Sequence, residues 1–140
     1  MRRINGNYDV TLAACKKDAE ENGWQIVSDS SWEGYLDVPR QVMAGYTVMA
    51  REIMNQMGKE RPTHIFLPVG VGGMAAAVVA PFWHEMGANQ PKAVSIESHM
   101  AACFLESIRA KKPKMVDIQE ETMMAGLSCG EVSKIAWEML

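Results

Sequence analysis

Pro68-Val69-Gly70-Val71-Gly72-Gly73-Met74-Ala75 is the stretch that decides the fold. Thr63 to Leu67 runs into it as a short apolar, β-rich segment interrupted only by His64. Met74 to Glu85 runs out of it, largely apolar and rich in small residues. A strand, a glycine loop and a buried helix in that order make half of a βαβ unit. Gly87 and Pro91 mark the next turn, and Ala93 to Ile96 forms the next strand. A helix over His99 to Arg109 follows, then irregular chain over Lys111 to Thr122. Glu131 to Leu140 is expected to be helical, with Ile135, Ala136 and Met139 on its apolar side.

The same alternation extends towards the N-terminus. Asp9 to Asn22 reads as an amphipathic surface helix, capped by Asn7 or Asp9 and ended by Gly23. Trp24-Gln25-Ile26-Val27 reads as a short strand. After Pro39 a helical pattern runs through Val42, Met43, Tyr46, Met49, Ile53 and Met57, with Gly45 inside it and Gly58 as its stop. The expected fold class is therefore α/β, a three-layer arrangement of a parallel sheet with helices on both faces. Three strands leave a small sheet with open edges, which points to part of a larger domain and to self-association, most simply as a homodimer.

Composition narrows the function. The chain has 140 residues, with 14 Lys and Arg against 17 Asp and Glu, for a net charge of -3. Lys111, Lys112 and Lys114 form its densest basic cluster, too small for a nucleic-acid footprint, so no nucleic-acid partner is expected. Apolar runs such as Ala75 to Phe82 are too short to span a bilayer, and the opening Met1 to Gly6 does not resemble a secretory signal. No membrane partner is expected, and the expected location is cytoplasmic. Cys15, Cys103 and Cys129 have neither zinc-site nor redox-pair spacing, and the 12 methionines read mostly as core filler.

Two segments carry candidate chemistry. In the first, Gly70, Gly72 and Gly73 sit where a loop between a strand and a helix can present amide groups and a positive helix end to an anion. The loop lacks the third glycine of a dinucleotide fingerprint and the Gly-Lys-Ser/Thr end of a nucleotide loop. Phosphate binding and plain close packing of helix on strand both remain open. In the second, Asp29-Ser30-Ser31-Trp32-Glu33-Gly34-Tyr35 follows the C-terminal end of a strand, where open α/β sheets place ligands. Asp29 is either a carboxylate base or a turn cap, and Glu33 either orients a ligand amine or is solvated. Glu97 ends a strand and is placed to line a pocket. His99 is the most suggestive histidine, but His64, His84 and His99 share no metal-ligand spacing.

These segments resemble the diaminopropionate ammonia-lyase family. The likeness lies in Asn7-Tyr8-Asp9, Gly23-Trp24, the block Asp29 to Tyr35, Pro39 through Gly45-Tyr46, the glycine loop, and Met124-Ala125-Gly126-Leu127-Ser128-Cys129-Gly130-Glu131. The glycine loop is shared across the tryptophan-synthase-like (type II) fold of pyridoxal-phosphate (PLP) enzymes, while the Asp29 and Met124 blocks are specific. The resemblance implies an enzyme that converts 2,3-diaminopropionate and water to pyruvate and two ammonia. It implies Gly70, Val71, Gly72, Gly73 and Met74 as cofactor-binding residues, and Asp29 as the catalytic carboxylate serving one substrate enantiomer. It implies that this chain corresponds to the middle third of such an enzyme. Residues 1–36 would be a remnant of the smaller domain and residues 37–140 part of the larger. The family's cofactor-binding lysine falls before Met1, so the isolated chain is expected to be inactive. A non-catalytic phosphate-binding or structural role, or a related lyase or dehydratase, are the alternatives. Ser98 and Val132 stand where the family often has proline.

Overall fold

A computed structural model describes residues 2–120 and 122–140. Among them are five α-helices and two β-strands. Helix α1, Tyr8–Asn22, starts as its sequence dictates: the Asn7 side chain accepts the Val10 amide at 3.1 Å. Gly23, at φ 66°, closes it in the left-handed region that glycine enters without penalty. Helix α2, Asp37–Met57, begins two residues before Pro39 and ends at Gly58.

Strand β1 (His64–Pro68) and strand β2 (Lys92–Ile96) pair in parallel, His64 opposite Lys92 and Pro68 opposite Ile96. The crossover between them is helix α3, Gly73–Met86. Pro81 lies inside α3 and takes one amide out of its ladder. Trp83 Nε1 donates to the Pro91 carbonyl at 3.0 Å, which ties the end of α3 to the start of β2. Helix α4 spans Cys103–Ala110 and helix α5 spans Lys134–Met139.

The core forms because α3 presents small side chains. Ala75, Ala76, Ala77, Val78 and Val79 are all buried, so α2 lies close along α3 and sinks Met43 and Ala50 against it. Phe82 fills the far end at 1% exposure, and burying such a ring is worth about 1.5–3 kcal/mol. Leu67 and Val69 enter this core, as do Ile135 and Ala136 from α5. The opposite face of β1 is open in this chain, with Phe66 67% exposed.

The α/β class and the parallel pairing are as expected, but three elements differ. Trp24 to Val27 form no ladder: they run without regular structure, with Trp24 65% and Val27 73% exposed. Their β-rich composition suits a strand, but no neighbouring strand among the described residues accepts their hydrogen bonds. The helix expected from His99 begins only at Cys103, because the Glu97 carboxylate accepts the amides of Phe104 and Leu105 at 2.8 and 3.0 Å and fixes the first turn there. The last helix begins at Lys134 rather than Glu131. No described helix is long and apolar enough to cross a membrane.

Candidate functional site

The two loops singled out in the sequence meet. Asp29 and all of Gly70, Val71, Gly72, Gly73 and Met74 line one cavity of about 230 Å³ at the C-terminal end of β1. Tyr8, Gly126, Leu127 and Cys129 line it as well, from the Asn7-Tyr8-Asp9 and Met124 to Glu131 segments. Their composition gave no hint of this. A larger cavity of about 590 Å³ lies between α1 and Trp24 to Val27, but it includes none of the glycine-loop residues. Glu97 is absent from the site, its carboxylate being engaged by the α4 amides. Glu33 is also absent: its side chain is 89% exposed and pairs with Lys134 at 3.3 Å. His99 lies at another cleft, beside Glu106, Arg109 and Lys114. No metal-binding cluster of His, Cys, Asp or Glu occurs among the described residues.

At the glycine loop, the first turn of α3 leaves the amides of Gly73, Met74 and Ala75 without intrahelical acceptors. None of the three donates to a backbone carbonyl elsewhere in the described residues. These donors and the positive end of a 14-residue helix face the cavity, a donor set suited to a phosphate. Gly73 also admits the Asp29 loop: a Cβ there would stand 3.0 Å from the Asp29 carbonyl oxygen.

Gly72 answers to packing. Its φ is 93°, and a Cβ would come within 2.4 Å of two Phe104 ring carbons and 3.0 Å of the Ala136 methyl. Gly72→Ala is therefore expected to destabilise the fold before it reports on any ligand. Overpacking typically costs about 1–3 kcal/mol and the left-handed backbone roughly 1–2 more. Gly34→Ala is the control, because Gly34 has φ 81° but no atom within 4 Å of its added Cβ. Thermal melting should show a clearly larger drop for Gly72→Ala than for Gly34→Ala. Equal drops would mean that the Phe104 contact is unimportant.

Asp29 is half-buried, and Tyr46 on α2 donates its phenol to Asp29 Oδ2 at 3.4 Å. Burial pushes the Tyr46 phenol up, and the Asp29 charge adds to the rise. Tyr8 is raised in the same way, by burial first and then by Cys129 and Asp29, with a Ser30 hydrogen bond opposing. The Cys129 thiol is raised by burial and by the carboxylates of Asp9 and Asp29. Cys103, whose thiol donates to the Gly70 carbonyl at 3.4 Å, is pushed up to about 12, chiefly by burial, and is no nucleophile at neutral pH. The phenols and thiols around the cavity are thus held protonated, which leaves the Asp29 carboxylate as its candidate proton acceptor. The rest of its block fastens the loop: Trp32 and Tyr35 stack at 4.2 Å, and the Tyr35 phenol donates to the Ile26 carbonyl at 2.7 Å.

A profile of the pyridoxal-phosphate dependent enzyme family matches residues 1–140. The chain belongs to that family. Among curated members of the PLP-dependent family, diaminopropionate ammonia-lyase of Escherichia coli strain K12 is 35% identical over 138 residues, and that of Salmonella typhimurium 34% over 139. Each match covers 96% of this chain and 34% of the relative, so the chain spans about a third of the length of these relatives. The crystal structure of holo diaminopropionate ammonia lyase from Escherichia coli superposes on 98% of the chain and 34% of that structure, with a TM-score of 0.88 at 34% identity. Threonine deaminase isoform 2 from Solanum lycopersicum superposes on 87% of this chain and 32% of its own, with a TM-score of 0.69 at 21% identity, a likeness of fold alone.

Proposed function

We propose that this chain supplies the phosphate seat and one acid-base carboxylate of a PLP-dependent diaminopropionate ammonia-lyase. The reaction would convert 2,3-diaminopropionate and water to pyruvate and two ammonia. The single observation that supports this best is the meeting of Asp29 with the free amides of the glycine loop in one cavity. When bound, the cofactor supplies a sink for the electron pair left as the substrate Cα–H bond breaks. In this reading Gly73 and Met74 hold its phosphate through their amides, with Gly70, Val71 and Gly72 shaping the turn. Asp29 takes the proton from Cα of the enantiomer that presents it to that side, and Tyr46 orients the carboxylate through Oδ2.

The same proposal assigns residues 1–36 to a smaller domain and 37–140 to a larger, cofactor-holding one. It also includes a homodimer, which the open Phe66 face favours and a one-chain mass in light scattering would overturn. The deciding experiment is pyruvate release by the full-length protein from diaminopropionate, with threonine and serine as competitors. Preference for diaminopropionate is the expected result. Preference for threonine would make the protein a dehydratase, in line with its 29% identity over 107 residues to an L-threonine dehydratase of Salmonella typhimurium.

A further inference from the structure

Ser31 and Ser133 stand 102 positions apart in the chain, and both are buried, at 4% and 0% exposure. Their hydroxyl oxygens are 2.7 Å apart. The Ser31 amide donates to Ser133 Oγ at 3.0 Å, and the Ile135 amide donates to Ser31 Oγ at 2.8 Å. The Lys134 amide donates to the Ser31 carbonyl at 2.9 Å. On the other side the Ser133 amide donates to the Val71 carbonyl at 2.8 Å. Ser31 is two residues from Asp29, and Val71 lies in the glycine loop. One short segment, Ser133 to Ile135, is thus bonded to both loops at once.

We propose that Ser31 and Ser133 are positioning residues, a buried clasp that sets the Asp29 carboxylate against the glycine loop. This rests on the function proposed above. Neither serine lines the cavity, so neither touches a ligand there. Among the described residues, the other groups bonded to the Asp29 loop, Tyr8 at Ser30 included, do not also bond the glycine loop. Tyr35 holds the Asp29 loop to Ser28 and Ile26, which belong to the same stretch of chain, and Tyr46 meets only the carboxylate, at 3.4 Å. The paired hydroxyls also explain a polar pair in an otherwise apolar junction: each oxygen accepts a backbone amide that would be left unsatisfied by alanine.

The test uses Ser31→Ala, Ser133→Ala and the double variant in the full-length protein, each first checked for cooperative melting. Turnover of each diaminopropionate enantiomer is measured, together with the alkaline titration of the Tyr46 phenol by NMR. The expected result is a kcat at least about 10-fold lower for the enantiomer that depends on Asp29, with KM and the other enantiomer little changed. The Tyr46 titration should move down towards its ordinary value of 10.0, as the carboxylate leaves its side. The double variant should do no more than the stronger single one. Equal losses for both enantiomers with the Tyr46 titration unmoved would overturn the proposal and leave the serines as ordinary packing. If neither enantiomer yields pyruvate even without substitution, the lyase reading fails, and the Tyr46 titration alone then decides the clasp.

Discussion

Asp29→Asn in the full-length protein is expected to lower turnover of one enantiomer of diaminopropionate by roughly 10²–10⁴-fold, the range for losing a positioned proton-transfer group. Asparagine keeps the size of the side chain and can still accept from the Tyr46 phenol, so the loop geometry should survive. What it loses is basicity. The amides of Gly73 and Met74 are untouched, so cofactor retention should be unchanged. The other enantiomer presents its Cα–H to the opposite side of the cofactor and should lose far less. Pyruvate release from each pure enantiomer reads this directly. Equal losses for both would make Asp29 a structural residue, and no loss for either would remove it from the chemistry.

A polypeptide of residues 1–140 alone, mixed with PLP, is expected to release no pyruvate above the background of free cofactor. Turnover needs a lysine amine to form an imine with the cofactor and to shuttle protons. Among the described residues no lysine lines the cavity. Lys134, on α5, is held by Glu33 and Glu138 at 3.3 Å each, and hydrogen bonds to these carboxylates keep its ammonium charged. Lys16 lies 3.7 Å over the Trp32 ring. In the proposed reading Asp29 by itself would supply at most one proton transfer, and reacting groups that are not held together forfeit several further orders of magnitude. The measurement is pyruvate release alongside the visible absorbance of a lysine imine. Turnover that disappears with Asp29→Asn would show that a lysine of this chain, or of a second copy, completes the site.

Much of this architecture was legible because its causes are local. The Asn7 cap, the Gly23 and Gly58 stops, the small-residue helix after the glycine loop and the β-rich runs of the two strands each follow from forces acting within a few residues. Family likeness placed Asp29 and the glycine loop in one site, and the cavity at the end of β1 brings them together.

Neighbouring residues alone were enough to set the α/β alternation, the helix ends and the loop able to offer amides to a phosphate. Which partners those elements find was settled by packing in three dimensions. Packing left Trp24 to Val27 without a ladder, since a strand exists only where a neighbour takes its hydrogen bonds. It turned Glu97 into a cap for α4 and set Gly72 against Phe104. It joined Ser31 to Ser133 across 102 positions. One cause is common to all of these. Backbone propensity and capping are written in neighbouring residues, whereas which polar group meets which across the core depends on how helices of particular side-chain volume pack, and spacing along the chain does not encode that.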